Sequence, residues 1–140
     1  MKTRRSAPRK RLPEEIQVLR EPQFSDVQRQ HFLDGIDKFN RQAYWDAHES
    51  WEHVWQEMTE DAEIVLRGLV QLAAALHCLQ TNRLDCAARN FQKAYPKLSL
   101  APDVFLGIDI KALRTFIEAA QHAPYPSPVC RIEFVSTQTQ

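Results

Sequence analysis

The apolar positions of this chain recur at helical spacing along most of its length. Phe32, Leu33, Ile36 and Phe39 fall three and four residues apart and define one face of a first helix. Ser25 opens it, and Gln28 three residues on suits a capping box. Asn40 suits its end, because asparagine tolerates left-handed backbone. Tyr44, Ala47, Trp51, Trp55 and Met58 form the stripe of a second helix over 43–58. The third segment, 62–79, is apolar nearly all round and belongs in the middle of a bundle. Within it, Gly68 would let a neighbouring helix approach closely. Asn82 and Asp85 open a fourth helix, with Ala87, Ala88, Phe91 and Ala94 inward and a stop near Pro96. Asp109 caps a fifth, built on Ile110, Leu113, Phe116 and Ile117. The pattern predicts an all-α fold, a single compact bundle of about five helices built from helical hairpins.

An internal echo lies at an offset of 40 residues. Tyr44, Ala47, Trp51 and Val54 correspond to Leu84, Ala87, Phe91 and Ala94. Small and aromatic residues so spaced are similar to tetratricopeptide helix pairs, although a solenoid needs three or more repeats. The expected organisation is a basic, proline-containing arm over 1–24, a helical domain over 25–122 and a proline-rich tail over 123–140. Residues 130–135 alternate weakly and could dock as an extended segment, without a predicted sheet.

Composition narrows the picture. Lys and Arg number 18, as do Asp and Glu, so the formal net charge is zero. Taken alone, that removes nucleic acid and acidic membranes as obvious partners. The cancellation is uneven, however. Residues 1–11 hold six cations and no acid, so the rest of the chain carries −6. The arm reads as a solvated, disordered tail, and nucleic acid would be reached only through it. Only three glycines occur, which excludes glycine-rich phosphate cradles. Cys78, Cys86 and Cys130 make an odd count without a Cys-x-x-Cys pair, arguing against a disulfide framework. Buried thiols at 78 and 86 are expected, with an approach of the two across a helix turn as the alternative. The apolar stretch 69–79 is too short to span a bilayer, which needs about 20 apolar residues. No signal-peptide core follows the N-terminus, so a cytoplasmic protein without membrane contact is expected. A homo-oligomer is compatible with all of this.

The second helix carries the candidate chemistry. His48 and Glu52 are four apart and stack on one face, with Trp55 almost directly above His48. On a helical wheel Glu52 falls between Trp45 and Trp55, and His48 between Trp45 and Tyr44. An imidazole and a carboxylate are thus set among aromatics at the edge of the buried stripe, which also holds Trp51. Three readings stay open. His48 and Glu52 could ligate a divalent metal ion, with His77 on the third helix as the best further ligand. They could form a metal-free acid/base pair. Or they could satisfy one another structurally while the tryptophans pack. The pattern is neither the zinc-protease His-Glu-x-x-His, since position 52 is Glu, nor the ferritin-like Glu-x-x-His arrangement. Between Arg41 and Arg67 lie seven acids and no Lys or Arg, a negative stretch expected to be mostly solvated helix surface. Gln71, one turn from Arg67, needs partners if buried and would reach toward the second helix.

These residues resemble a known family. Phe39, Asn40, Tyr44, Trp45, Ala47, His48, Glu49, Trp51, Glu52 and Trp55, with the block from Arg67 to Ala75 plus His77 and Asn82, resemble domain of unknown function family 309 over about 28–98. Its hallmark, His-x-x-x-Glu-x-x-Trp/Tyr, is matched by His48, Glu52 and Trp55. The resemblance implies an all-helical fold and points to His48 and Glu52 as metal ligands, with Trp55 shaping the site. The functional expectation is therefore a helical domain binding a divalent metal. The alternative is a non-catalytic protein-interaction module built on a tetratricopeptide-like hairpin.

Overall fold

A computed structural model describes residues 12–16, 18–122 and 129–135. Among the described residues five α-helices follow a short 3-10 turn at Pro13–Glu15: α1 (Asp26–Asn40), α2 (Tyr44–Trp55), α3 (Glu63–Gln80), α4 (Leu84–Leu98) and α5 (Ile110–Ala120). They form an all-α bundle. Ser25 caps α1 as its spacing predicts: its hydroxyl accepts from Gln28 N at 3.1 Å, and Gln28 Oε1 accepts from Ser25 N at 3.0 Å. The all-round apolar α3 is the central helix, with α2 on one side and α4 on the other. Leu66, Leu69, Leu72, Ala73 and Leu76 are fully buried. Gly68 lies under α4, where a Cβ would sit 2.9 Å from Leu98 Cδ2 and 3.2 Å from Lys97 Cβ. Among the described residues no helix is long and apolar enough to cross a membrane.

The 40-residue echo has a backbone counterpart. α1 and α2 are joined at Arg41–Gln42–Ala43, and α3 and α4 at Thr81–Asn82–Arg83. Gln42 and Asn82 are both left-handed, with φ of 65° and 60°. In the first turn Ala43 N donates to Lys38 O at 2.9 Å and Gln42 N to Phe39 O at 2.9 Å. In the second, Arg83 N donates to Cys78 O at 2.8 Å and Asn82 N to Leu79 O at 3.1 Å. Both are Schellman closures, in which one left-handed residue satisfies the last carbonyls and reverses the chain. The left-handed residue of the first turn is thus Gln42, two residues beyond Asn40. The bundle is two equivalent hairpins side by side, with α5 laid on α4 through the Phe91–Phe116 ring contact at 6.3 Å.

Several details depart from the sequence pattern. α2 stops at Trp55, and Met58 is buried from the following loop instead of from the helix. Pro96 lies inside the last turn of α4, where its missing N–H costs a single helical hydrogen bond. A short antiparallel hairpin, β1 (Val104–Phe105) and β2 (Ile108–Asp109), precedes α5. Its turn places Leu106 and Gly107 at φ of 57° and 74°, the twist a two-residue hairpin demands. Residues 129–135 dock as an extended segment. Asn40 clamps them through its side-chain amide, with Nδ2 to Ile132 O at 2.9 Å and Ile132 N to Oδ1 at 2.8 Å. Asp109 N and Glu133 O, 3.0 Å apart, join the segment to the hairpin edge. The basic stretch 1–11, most of the proline-rich run and the last five residues lie outside the described residues.

The cysteines also differ from expectation. Cys78 and Cys86 are joined as a disulfide, with Cα atoms 6.0 Å apart. The tight 81–83 turn brings the last turn of α3 against the first turn of α4, so residues eight apart meet. Cys86 is half-buried, and Cys130 is a buried free thiol.

Candidate functional site

The seam between α2 and α3 holds the residues singled out by spacing. On α2, His48, Glu52 and Trp55 are half-buried and Trp45 is 46% exposed; on α3, Arg67, Gln71, Ala74 and His77 are half-buried. Each set recurs at three and four residues, so each forms one stripe along its helix. The helices run antiparallel, which sets Trp45 near the α3 C-terminus: the Trp45 and His77 rings lie 5.3 Å apart. Trp45 also stacks on His48, centroids 4.5 Å apart and planes 11° from parallel. The indole is a lid over the imidazole, and His77 leans on the edge of the lid.

His48 Nε2 lies 3.9 Å from Glu52 Oε2, an electrostatic contact beyond hydrogen-bond range. Burial pushes the His48 pKa below its ordinary value; the carboxylates of Glu52 and Glu49 oppose that push, and His77 adds to it. His48 is thus a neutral imidazole at neutral pH. Its Nδ1 is buried without a hydrogen-bond partner among the described residues, as is Gln71 Oε1. Buried polar atoms without a protein partner are rare, and water or a bound group ordinarily satisfies them.

Other candidates fall elsewhere. Tyr44 and Trp51 are fully buried on the core side of α2. The Tyr44 hydroxyl accepts from Cys130 N at 3.2 Å, and Trp51 Nε1 donates to Phe32 O at 3.1 Å. Glu49 is exposed. His53 stacks on His31 of α1, centroids 5.2 Å apart. The acidic stretch is not uniformly solvated. Glu63 is fully buried and accepts from Arg67, Nε to Oε1 at 2.8 Å and Nη2 to Oε2 at 3.2 Å. The i,i+4 spacing of Glu63 and Arg67 at the head of the apolar helix was the available signal.

Residues 32–90 match the profile of a family described as a domain of unknown function, DUF309. Over that stretch the chain is similar to DUF309. The matched stretch begins inside α1 and ends inside α4, so both hairpin turns and the whole α2–α3 seam lie within it. α5, the β-hairpin and the docked 129–135 segment lie beyond it. No curated protein matches the chain.

The neutral imidazole gives the chain a proton linkage. The unfolded chain protonates His48 near its ordinary value of about 6.5, whereas the folded chain does so only at lower pH. Between the two values the unfolded state binds more protons, so stability falls as the pH drops through that range. His48→Gln should flatten this part of the curve. Urea unfolding in a chelator between about pH 5 and pH 8 measures it; an unchanged slope would show that His48 titrates alike in both states.

Proposed function

We propose that the domain binds a divalent metal ion in the α2–α3 seam, with His48 and Glu52 as its protein ligands. The observation that carries this reading is the pair itself, a neutral imidazole whose Nε2 stands 3.9 Å from a half-buried carboxylate oxygen. Donors on bonds of about 2.1 Å can be at most about 4.2 Å apart around one ion, so the pair is within reach of a shared metal. Among the described residues no group of three His, Cys, Asp or Glu side chains converges on one point. The ion would therefore keep open positions, for water or for an exogenous ligand. The unpartnered Gln71 Oε1 is a carbonyl oxygen of the kind divalent ions accept, and His77 is the next imidazole along the seam.

A divalent ion held by so few protein groups would supply Lewis acidity and a more acidic bound water. The chain's own groups supply the surroundings. Trp45 covers one face of the His48 ring, and burial keeps His48 deprotonated and able to donate its lone pair. No reaction is assigned to the site.

Titration calorimetry with zinc, manganese and magnesium tests the reading. One of these ions should bind the wild-type chain at one equivalent. His48→Ala and Glu52→Ala should each weaken binding by roughly tenfold or more, as expected for loss of one of few ligands. Absence of binding by all three ions, or equal binding by both variants, would sink it.

A further inference from the structure

The Cys78–Cys86 bridge lies at the tip of the second hairpin, and the surroundings of its two sulfurs differ. Cys78 is on the last turn of α3 and is 2% exposed. Cys86 is the third residue of α4 and is half-buried. It lines an open pocket of about 580 Å³ together with Asn82, Arg83, Leu84, Asp85 and Arg89. The Asn90 amide, whose Nδ2 lies 3.6 Å from Cys86 Sγ, and the first turn of a 15-residue helix favour negative charge on that sulfur, as do Arg83 and Arg89 lining the same pocket, while Asp85 opposes it. One half-buried cysteine borders an open pocket that small reagents can enter. The other is sealed behind it.

The fold does not need the bridge. The first hairpin makes the same Schellman closure with Lys38 and Asp46 at the positions equivalent to Cys78 and Cys86. Its geometry holds without a cross-link there, so the second hairpin can keep its own geometry when reduced. α4 is also anchored at its far end, where Leu98 packs over Gly68.

We infer that Cys86 and Cys78 form a reversible thiol–disulfide site for low-molecular-weight disulfides, with Cys86 as the attacking thiol and Cys78 as the resolving thiol. The Cys86 thiolate attacks one sulfur of the small disulfide. A mixed disulfide forms and one small thiol leaves. Cys78 then attacks Cys86 Sγ, which closes the internal bridge and releases the second small thiol. Two protein thiols are oxidised, one small disulfide is reduced to two thiols, and the two thiol protons end on the released molecules.

The test uses the full chain, reduced and then exposed to glutathione disulfide, with intact-mass spectrometry as the readout. Wild type should lose two hydrogens and retain no glutathione. Cys78→Ala should hold one glutathione on Cys86, and Cys86→Ser should acquire it on Cys78 at least tenfold more slowly. Cys130, buried in the same chain, reports the rate at a sealed thiol. Excess reduced glutathione should reopen the wild-type bridge, and the reduced chain should keep its helical circular dichroism while melting roughly 5–10 °C lower. The wild-type measurements need no variant to fold. Adducts forming equally fast in both variants would overturn the assigned roles. A wild-type bridge that never forms in oxidising glutathione, or never reopens in reducing glutathione, would overturn the site.

Discussion

Gly35→Ala should destabilise the chain by about 2–3 kcal/mol even after the better helix propensity of alanine is counted. A Cβ on Gly35 would fall within 2.7 Å of three indole atoms of Trp51. Trp51 cannot step aside. It is fully buried, its Nε1 donates to Phe32 O at 3.1 Å, and its ring packs on Phe39 with centroids 5.6 Å apart. A rigid ring held at both edges leaves only separation of α1 from α2, which would open the hairpin that carries His48. The 40-residue correspondence suggests the remedy. Gly35 and Trp51 correspond to Ala75 and Phe91, so the second hairpin pairs a smaller ring with a larger helix residue. Gly35→Ala combined with Trp51→Phe should recover part of the loss. Urea unfolding of the three variants measures it, and a Gly35→Ala protein as stable as wild type would contradict the close packing of α1 on α2.

Arg67→Ala should cost about 3–5 kcal/mol, the penalty for leaving a buried carboxylate without its guanidinium. The Glu63 side chain is 1% exposed and that of Arg67 11%. The paired 2.8 and 3.2 Å contacts give the fork geometry that makes such an ion pair strong. Most of the cost is desolvation of Glu63, so removing the charge should return much of it. Glu63→Gln in the Arg67→Ala background should therefore be more stable than Arg67→Ala alone. Denaturant unfolding of the full double-mutant cycle distinguishes this from simple loss of Arg67 packing, in which case Glu63→Gln would give no rescue.

The helices were legible because their apolar positions repeat every three to four residues, and burial acts on that period. Phe32, Ile36 and Phe39 face inward for that reason, as do Ala47 and Trp51 on α2. The hairpin turns were less legible. A left-handed residue is announced by glycine or asparagine; Asn82 read as a helix opener instead, and Gln42 carries no such signal. The β-hairpin escaped because its strands are two residues each, too short for an alternating pattern. Glu63 read as an exposed acid because pairing with Arg67, and not residue type, decides whether a carboxylate can be buried.

For the candidate site, the four-residue spacing of His48 and Glu52 alone put them on one face, because both belong to the same helix. Local periodicity likewise determined the five-helix bundle and the two corresponding hairpins. Tertiary packing decided what lies opposite. It set His77 and Trp45 against each other, buried His48 enough to keep it neutral, left Gln71 Oε1 without a partner among the described residues and joined Cys78 to Cys86. The physical reason is range. Spacing within a helix follows from 3.6 residues per turn, whereas burial, desolvation and contacts across a seam depend on how the antiparallel helices are set against one another.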